Sequence, residues 1–156
     1  MGIGHVSRRK FLIFFGAAAA SPGIVPSRAA DAMTMHKSAT CGCCSKWAAR
    51  MREAGFTVKE VIEPDMSDLK SKLGVPKAMQ SCHTARIDGY VVEGHVPADA
   101  IHRMLAERPG FVGVAAPGMP AGSPGMEGGE AEVYPLYLFN AENSREFGKW
   151  RGTKPA

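Results

Sequence analysis

Cys41, Cys43 and Cys44 are three of the chain's four cysteines, and they fall within four positions in "TCGCCSKW". The fourth, Cys82, lies 38 residues after Cys44 in "QSCHTAR". Cys41 and Cys44 alone have the C-x-x-C spacing of thiol oxidoreductases. A helix-forming run begins directly after these thiols. Sulfur at a helix start meets unpaired backbone N–H groups and the positive end of the macrodipole. Both favour thiolate, the form that binds metal or attacks a disulfide.

Several chemistries fit this set. Four cysteines in a small exported chain can form two structural disulfides. Cys43 and Cys44 are adjacent, so that pairing would need two close approaches at one point. Four thiolates also suit tetrahedral zinc. Zinc sites usually carry two paired knuckles, whereas the second half here is one cysteine followed by His83. Cu(I) takes thiolate and thioether ligands, and clustered thiolates can bridge several Cu(I) ions. In a dithiol enzyme Cys41 would attack and Cys44 resolve, with Cys43 as a competing nucleophile between them.

Further soft or borderline donors accompany the cysteines. His83 and His95 lie in the Cys82 half, and Met119 and Met126 sit in "PGMPAGSPGME". These four are candidate ligands that would shield or complete a copper site. Each also has a plainer reading. A loop methionine is often a hydrophobic plug. His83 can be a turn residue, and His95 can cap a strand end. Met33, Met35 and His36 read as strand, and His102 reads as a solvated helix position.

The surrounding elements are an alternation of strand and helix. "AMTMHK" is extended, and "CCSKWAARMREAG" places Trp47, Met51 and Ala54 at helical spacing with Gly55 as the stop. "FTVKEVIE" alternates as a strand. A short helix follows from Asp65 or Ser67, with Met66, Leu69 and Leu73 on one face. "RIDGYVVEGHVP" reads as a hairpin turning at Asp88-Gly89. A helix from Pro97 or Ala98 turns Ile101, Met104 and Leu105 inward. Residues 110–129 are rich in Gly and Pro without clear periodicity, a length that marks a shaped loop rather than a routine link. "VYPLYLFN" is a late strand, and "REFGKWRG" is too short to add a domain. Thiols between a first strand and a first helix suit a thioredoxin-like α/β layer with flanking helices.

The N-terminus has a different character. "SRRKFLIFFGAAAA" sets Arg8 and Arg9 before a short apolar run from Phe11 to Ala20. That run is too short for the roughly 20 residues a membrane-spanning helix needs. It reads as a twin-arginine-type signal over residues 1–29, with small residues for cleavage near Ala29 to Ala32. Residues 30–152 then form one exported domain. The formal charge of +4 comes from the signal. Without it the chain keeps 15 basic and 15 acidic residues, which argues against nucleic acid as a partner. It also leaves no basic face for anionic membranes and no stable membrane insertion once the signal is removed.

Taken together, "CGCCSKW", "GVP", "SCHTA", "GYVVEGHVPA", "ERP" and "PGMPAGSPGME" resemble a family of bacterial periplasmic proteins. That family was long described as a domain of unknown function and includes the CopG-type copper-resistance proteins. The resemblance spans roughly residues 33–140. It implies a thioredoxin-like fold and a copper site of Cys41, Cys43, Cys44 and Cys82. It implies a periplasmic role in copper handling, with copper ions and other periplasmic copper-handling proteins as partners. It leaves open whether copper is stored, passed on, or oxidised and reduced, and zinc stays the alternative metal.

Overall fold

The structure, a computed structural model, describes residues 1–2 and 31–156. The signal reading therefore falls almost wholly outside the described residues. No helix among the described residues is long and apolar enough to cross a membrane.

Strand β1 (Ala32–Lys37) leads into helix α1 (Gly42–Glu53), and strand β2 (Thr57–Ile62) returns parallel to β1. Helix α2 (Met66–Lys72) follows, its start capped by the Asp65 side chain, which accepts from the Asp68 N–H at 2.9 Å. Strands β3 (His83–Ile87) and β4 (Tyr90–Glu93) form the expected hairpin. Its turn is at Asp88 (φ 46°) and Gly89 (φ 84°), the paired positive values of a tight hairpin turn. Helix α3 (Ala98–Glu107) crosses from β4 to strand β5 (Gly113–Ala115), which runs parallel to β4. Strands β6 (Val133–Phe139), β7 (Ser144–Arg151) and β8 (Lys154–Pro155) complete an antiparallel end. Among the described residues these strands form one eight-stranded sheet, in the order β2-β1-β3-β4-β5-β6-β7-β8.

Alternation along the strands splits the interior into two faces. Val92, Val114 and Leu138 join α1 and α3 in the main core, together with Trp47, Met51, Ile101, Met104 and Leu105. Their neighbours Val91, Ala115 and Phe139 pack with Val75 in a smaller cluster next to the C-terminal end of α2. The larger face closes over the thiols. Met33 and Met35 point into that core from β1, as their strand reading requires.

Three expectations need correction. The Gly/Pro-rich stretch contains a strand, β5, whose three buried residues are too few to show a period. "REFGKW" lies within the long strand β7, and β8 carries the sheet past residue 152. Ala54 ends α1 as an exposed cap instead of packing inward with Trp47 and Met51. His102 is exposed as expected, yet its ring stacks on Phe56 with centroids 4.5 Å apart.

Candidate metal centre

Cys41 is the N-cap of α1, in extended backbone, with no side-chain hydrogen bond closing the helix end. Cys43 and Cys44 lie in the first turn, where no acidic residue competes. The unpaired N–H groups there favour negative sulfur. Beneath them Lys37 is 8% exposed and donates from Nζ to the Cys41 carbonyl at 3.2 Å and to Ser45 Oγ at 2.8 Å. Ser45 Oγ in turn donates a hydrogen bond to Glu60 Oε2 at 2.9 Å, so the end of β1, the start of α1 and β2 are tied together under the thiols.

Cys82 arrives from the other side, one residue before β3. All four cysteine sulfurs lie within 4.8 Å of one another. Cys41 and Cys44 form a disulfide, and Cys43 and Cys82 are free. This corrects the two-disulfide alternative: one disulfide forms, and Cys43 and Cys82 stay unjoined at 3.8 Å. Cys43 Sγ sits 3.6 Å from Cys41 Sγ and 3.8 Å from Cys82 Sγ, so the free thiols continue the cluster. Cys44 is fully buried, while Cys41 and Cys43 are half-buried.

Two histidines stand against Cys82. His95 Nε2 lies 3.0 Å from its sulfur and His83 Nδ1 lies 3.4 Å away. His95 Nδ1 is 2.8 Å from the Pro124 carbonyl, which only accepts, so Nδ1 carries the proton and Nε2 turns a lone pair to Cys82. His83 is the first residue of β3 and packs under Trp47 with ring centroids 4.5 Å apart. Its Nε2 is buried without a hydrogen-bond partner. Burial, together with neighbouring His95 and Lys70, holds the His83 imidazole well below its usual range. Burial also lowers His95, against the opposing pull of the Pro124 carbonyl and Glu127. Both rings are therefore neutral near pH 7, the form that ligates metal. Burial, with the Cys43 sulfur beside it, pushes the Cys82 thiol up to about 12. Cys82 thus keeps its proton until a cation displaces it.

The two candidate methionines lie in the connection between β5 and β6. Met119 is exposed, at the rim of an open cavity of about 310 Å³ lined also by Gln80, Ser81, Cys82 and Gly118. Met126 is half-buried, and its backbone closes a turn with Gly122 and Ser123. That turn brings Gly125 onto α1 at φ 86°, where a Cβ would meet Trp47 N at 2.7 Å and the Cys43 carbonyl at 2.8 Å. Only glycine allows this approach.

Sequence reasoning missed a buried polar cluster next to the thiols. Lys70 of α2 and Glu93 of β4 form an ion pair, and both bond Thr84 Oγ1, at 2.9 and 2.6 Å. Glu93 also accepts the Ser81 N–H at 2.6 Å and so braces the peptide beside Cys82. Burial raises the Glu93 carboxyl, and Lys70 opposes that rise. The only signal in the sequence was a glutamate inside "YVVEG", ending an otherwise apolar strand.

Solved structures of copper resistance protein CopG share this arrangement of the backbone. One is 44% identical, with a TM-score of 0.74 over 78% of this chain and 99% of that one. A second form is 44% identical, with a TM-score of 0.73 over 80% of this chain and 100% of that one. The chain belongs to the CopG family. Residues 79–126 also match the family described as "Protein of unknown function, DUF411". That segment runs from the approach to Cys82, through His83 and His95, to Met126. No curated protein matches the chain. The CopG membership accords with a cysteine cluster able to hold metal, and the four clustered sulfurs are a donor set of the softness Cu(I) takes.

Proposed function

We propose that this CopG-family chain is an exported, periplasmic copper-handling protein that takes Cu(I) on the thiolates of Cys41, Cys43, Cys44 and Cys82. The observation that carries this reading is the packing of four sulfurs within 4.8 Å of one another. Sulfurs that close can bridge metal ions, which supports uptake of more than one copper. His83, His95, Met119 and Met126 are the proposed shield around the cluster. The twin-arginine-type signal over residues 1–29 supports export of the folded domain, residues 30–152. Thiols at the β1–α1 junction of a parallel βαβ unit support a thioredoxin-like layout. Copper ions and other periplasmic copper-handling proteins are the proposed partners.

Full ligation needs the Cys41–Cys44 disulfide opened, a step that takes two electrons and two protons from a dithiol reductant and yields two thiols. The test is an anaerobic Cu(I) titration of the reduced protein against a competing chelator, with bound metal counted by elemental analysis. More than one tightly held copper is expected, and Cys44→Ser is expected to abolish high-affinity binding. Unchanged stoichiometry and affinity in that variant, or one zinc that Cu(I) fails to displace, defeats the reading.

The disulfide favours a second reading, thiol or copper oxidoreduction. Cys41 is half-buried and Cys44 fully buried, the exposure pattern of an attacking and a resolving thiol. Reduction of a protein disulfide by the metal-free dithiol form measures the thiol branch directly. Absence of turnover removes that branch and leaves copper redox.

A further inference from the structure

Resting on the copper reading's donor set, we propose that the protein with Cys41 and Cys44 joined uses part of that set to bind a borderline divalent cation such as Zn(II). Its ligands are the Cys82 thiolate and the imidazoles of His83 and His95. Disulfide formation takes two of the four sulfurs out of the thiolate set. It leaves this one-sulfur, two-nitrogen set untouched. The redox state of the Cys41–Cys44 pair then selects between a soft monovalent ion and a borderline divalent one.

The geometry is close to that of an occupied site. The three ligand atoms lie within 4.8 Å of one another. Cys82 Sγ is 3.0 Å from His95 Nε2 and 3.4 Å from His83 Nδ1. A tetrahedral ion with bonds of about 2.3 Å to sulfur and about 2.0 Å to nitrogen holds S and N about 3.5 Å apart. The cluster therefore needs to open by only a few tenths of an ångström. His95 already has the support that metal-bound histidines need, its other ring nitrogen fixed by a backbone carbonyl. His83 is 0% exposed and turns Nδ1, the nitrogen that would ligate, toward the Cys82 sulfur. Lys70, whose charge acts on His83, is paired with Glu93. The open cavity whose lining includes Cys82 and Met119 gives an ion a path to the sulfur. Binding exchanges the Cys82 proton for the metal: Cys82–SH and Zn²⁺ give Cys82–S–Zn⁺ and H⁺, with no change of oxidation state.

The test starts from oxidised protein, its Cys41–Cys44 bond verified by mass spectrometry of alkylated peptides. Zn(II) is titrated against a chromophoric chelator, and the zinc-loaded protein is measured by X-ray absorption. One equivalent is expected, with a shell in which nitrogen outnumbers sulfur. His95→Ala, with an unchanged circular dichroism spectrum, is expected to weaken zinc at least about 10-fold. No zinc held against the chelator, a sulfur-only shell, or an unaltered affinity in His95→Ala overturns the proposal. The spectrum of the unmutated protein keeps the test decisive even if a histidine variant misfolds. The Cu(I) titration of reduced protein is a separate arm, so failure of either reading leaves the other standing.

Discussion

His83 and Thr84 are neighbours on β3 and face opposite sides of the sheet, and the polar clusters they enter differ in one respect. On the Thr84 side, Lys70, Glu93, Thr84 and the Ser81 N–H bond one another, and none of these side chains has a buried polar atom without a partner among the described residues. On the His83 side, the groups meet through sulfur: the free thiols of Cys43 and Cys82 touch each other, Cys82 touches both imidazoles, and His83 Nε2 has no partner among the described residues. Both clusters are buried in the same small domain. A closed cluster has no bond to offer a ligand and serves the fold. An open one is held by weak thiol contacts that a cation can replace.

The comparison can be broken from either side. The largest effect is expected from Glu93→Ala, which strands Lys70 in the interior and unpairs Ser81. A loss of about 3–5 kcal/mol in urea unfolding of the metal-free protein is expected. A loss below about 1 kcal/mol would show that the closed cluster does not brace the fold.

Acid should act on the open side. Both imidazoles are held below their ordinary range, so the folded state binds fewer protons than the unfolded chain as pH falls below about 6.5. Stability is then full above that pH and declines beneath it, by about 1.4 kcal/mol per pH unit for each histidine that stays neutral. Urea midpoints of the metal-free protein between pH 7 and pH 5 would check the slope. A flat profile would mean that the rings charge without cost.

The smallest effect is expected from His83→Leu. An apolar side chain removes the orphaned nitrogen and keeps the packing against Trp47. A stability change within about 1 kcal/mol is expected, in either direction, against the large loss at Glu93. Equal losses at the two positions would erase the contrast.

Much of this centre was legible before any coordinates. The thiols at a helix start, the strand–helix–strand unit around them and the Asp88-Gly89 hairpin all follow from local chemistry and periodicity. The closed cluster was not legible, because a lysine and a glutamate 23 positions apart default to solvent and only the sheet brings them together. Strand β5 was hidden for a related reason: Gly113 is a glycine in a glycine-rich stretch. It is needed because a Cβ there would lie 2.0 Å from the Val91 carbonyl oxygen across the ladder. Strand β7 was obscured by its exposed charges, with only Phe147 and Trp150 turned inward. The donors themselves were identifiable by residue type. The carbonyl of Pro124 that orients His95 was not, since backbone partners leave no trace in composition.

Trp47 is fully buried, donates its indole N–H to the Val96 carbonyl at 2.9 Å, and meets the open cluster through the tilted ring of His83. The chain's other tryptophan, Trp150, stacks on Phe147 instead. An emitter held rigid and dry beside a metal centre is an optical gauge. Occupancy can be read from the protein's own fluorescence, without a dye, a tag or a labelled cysteine that would spoil the site being measured.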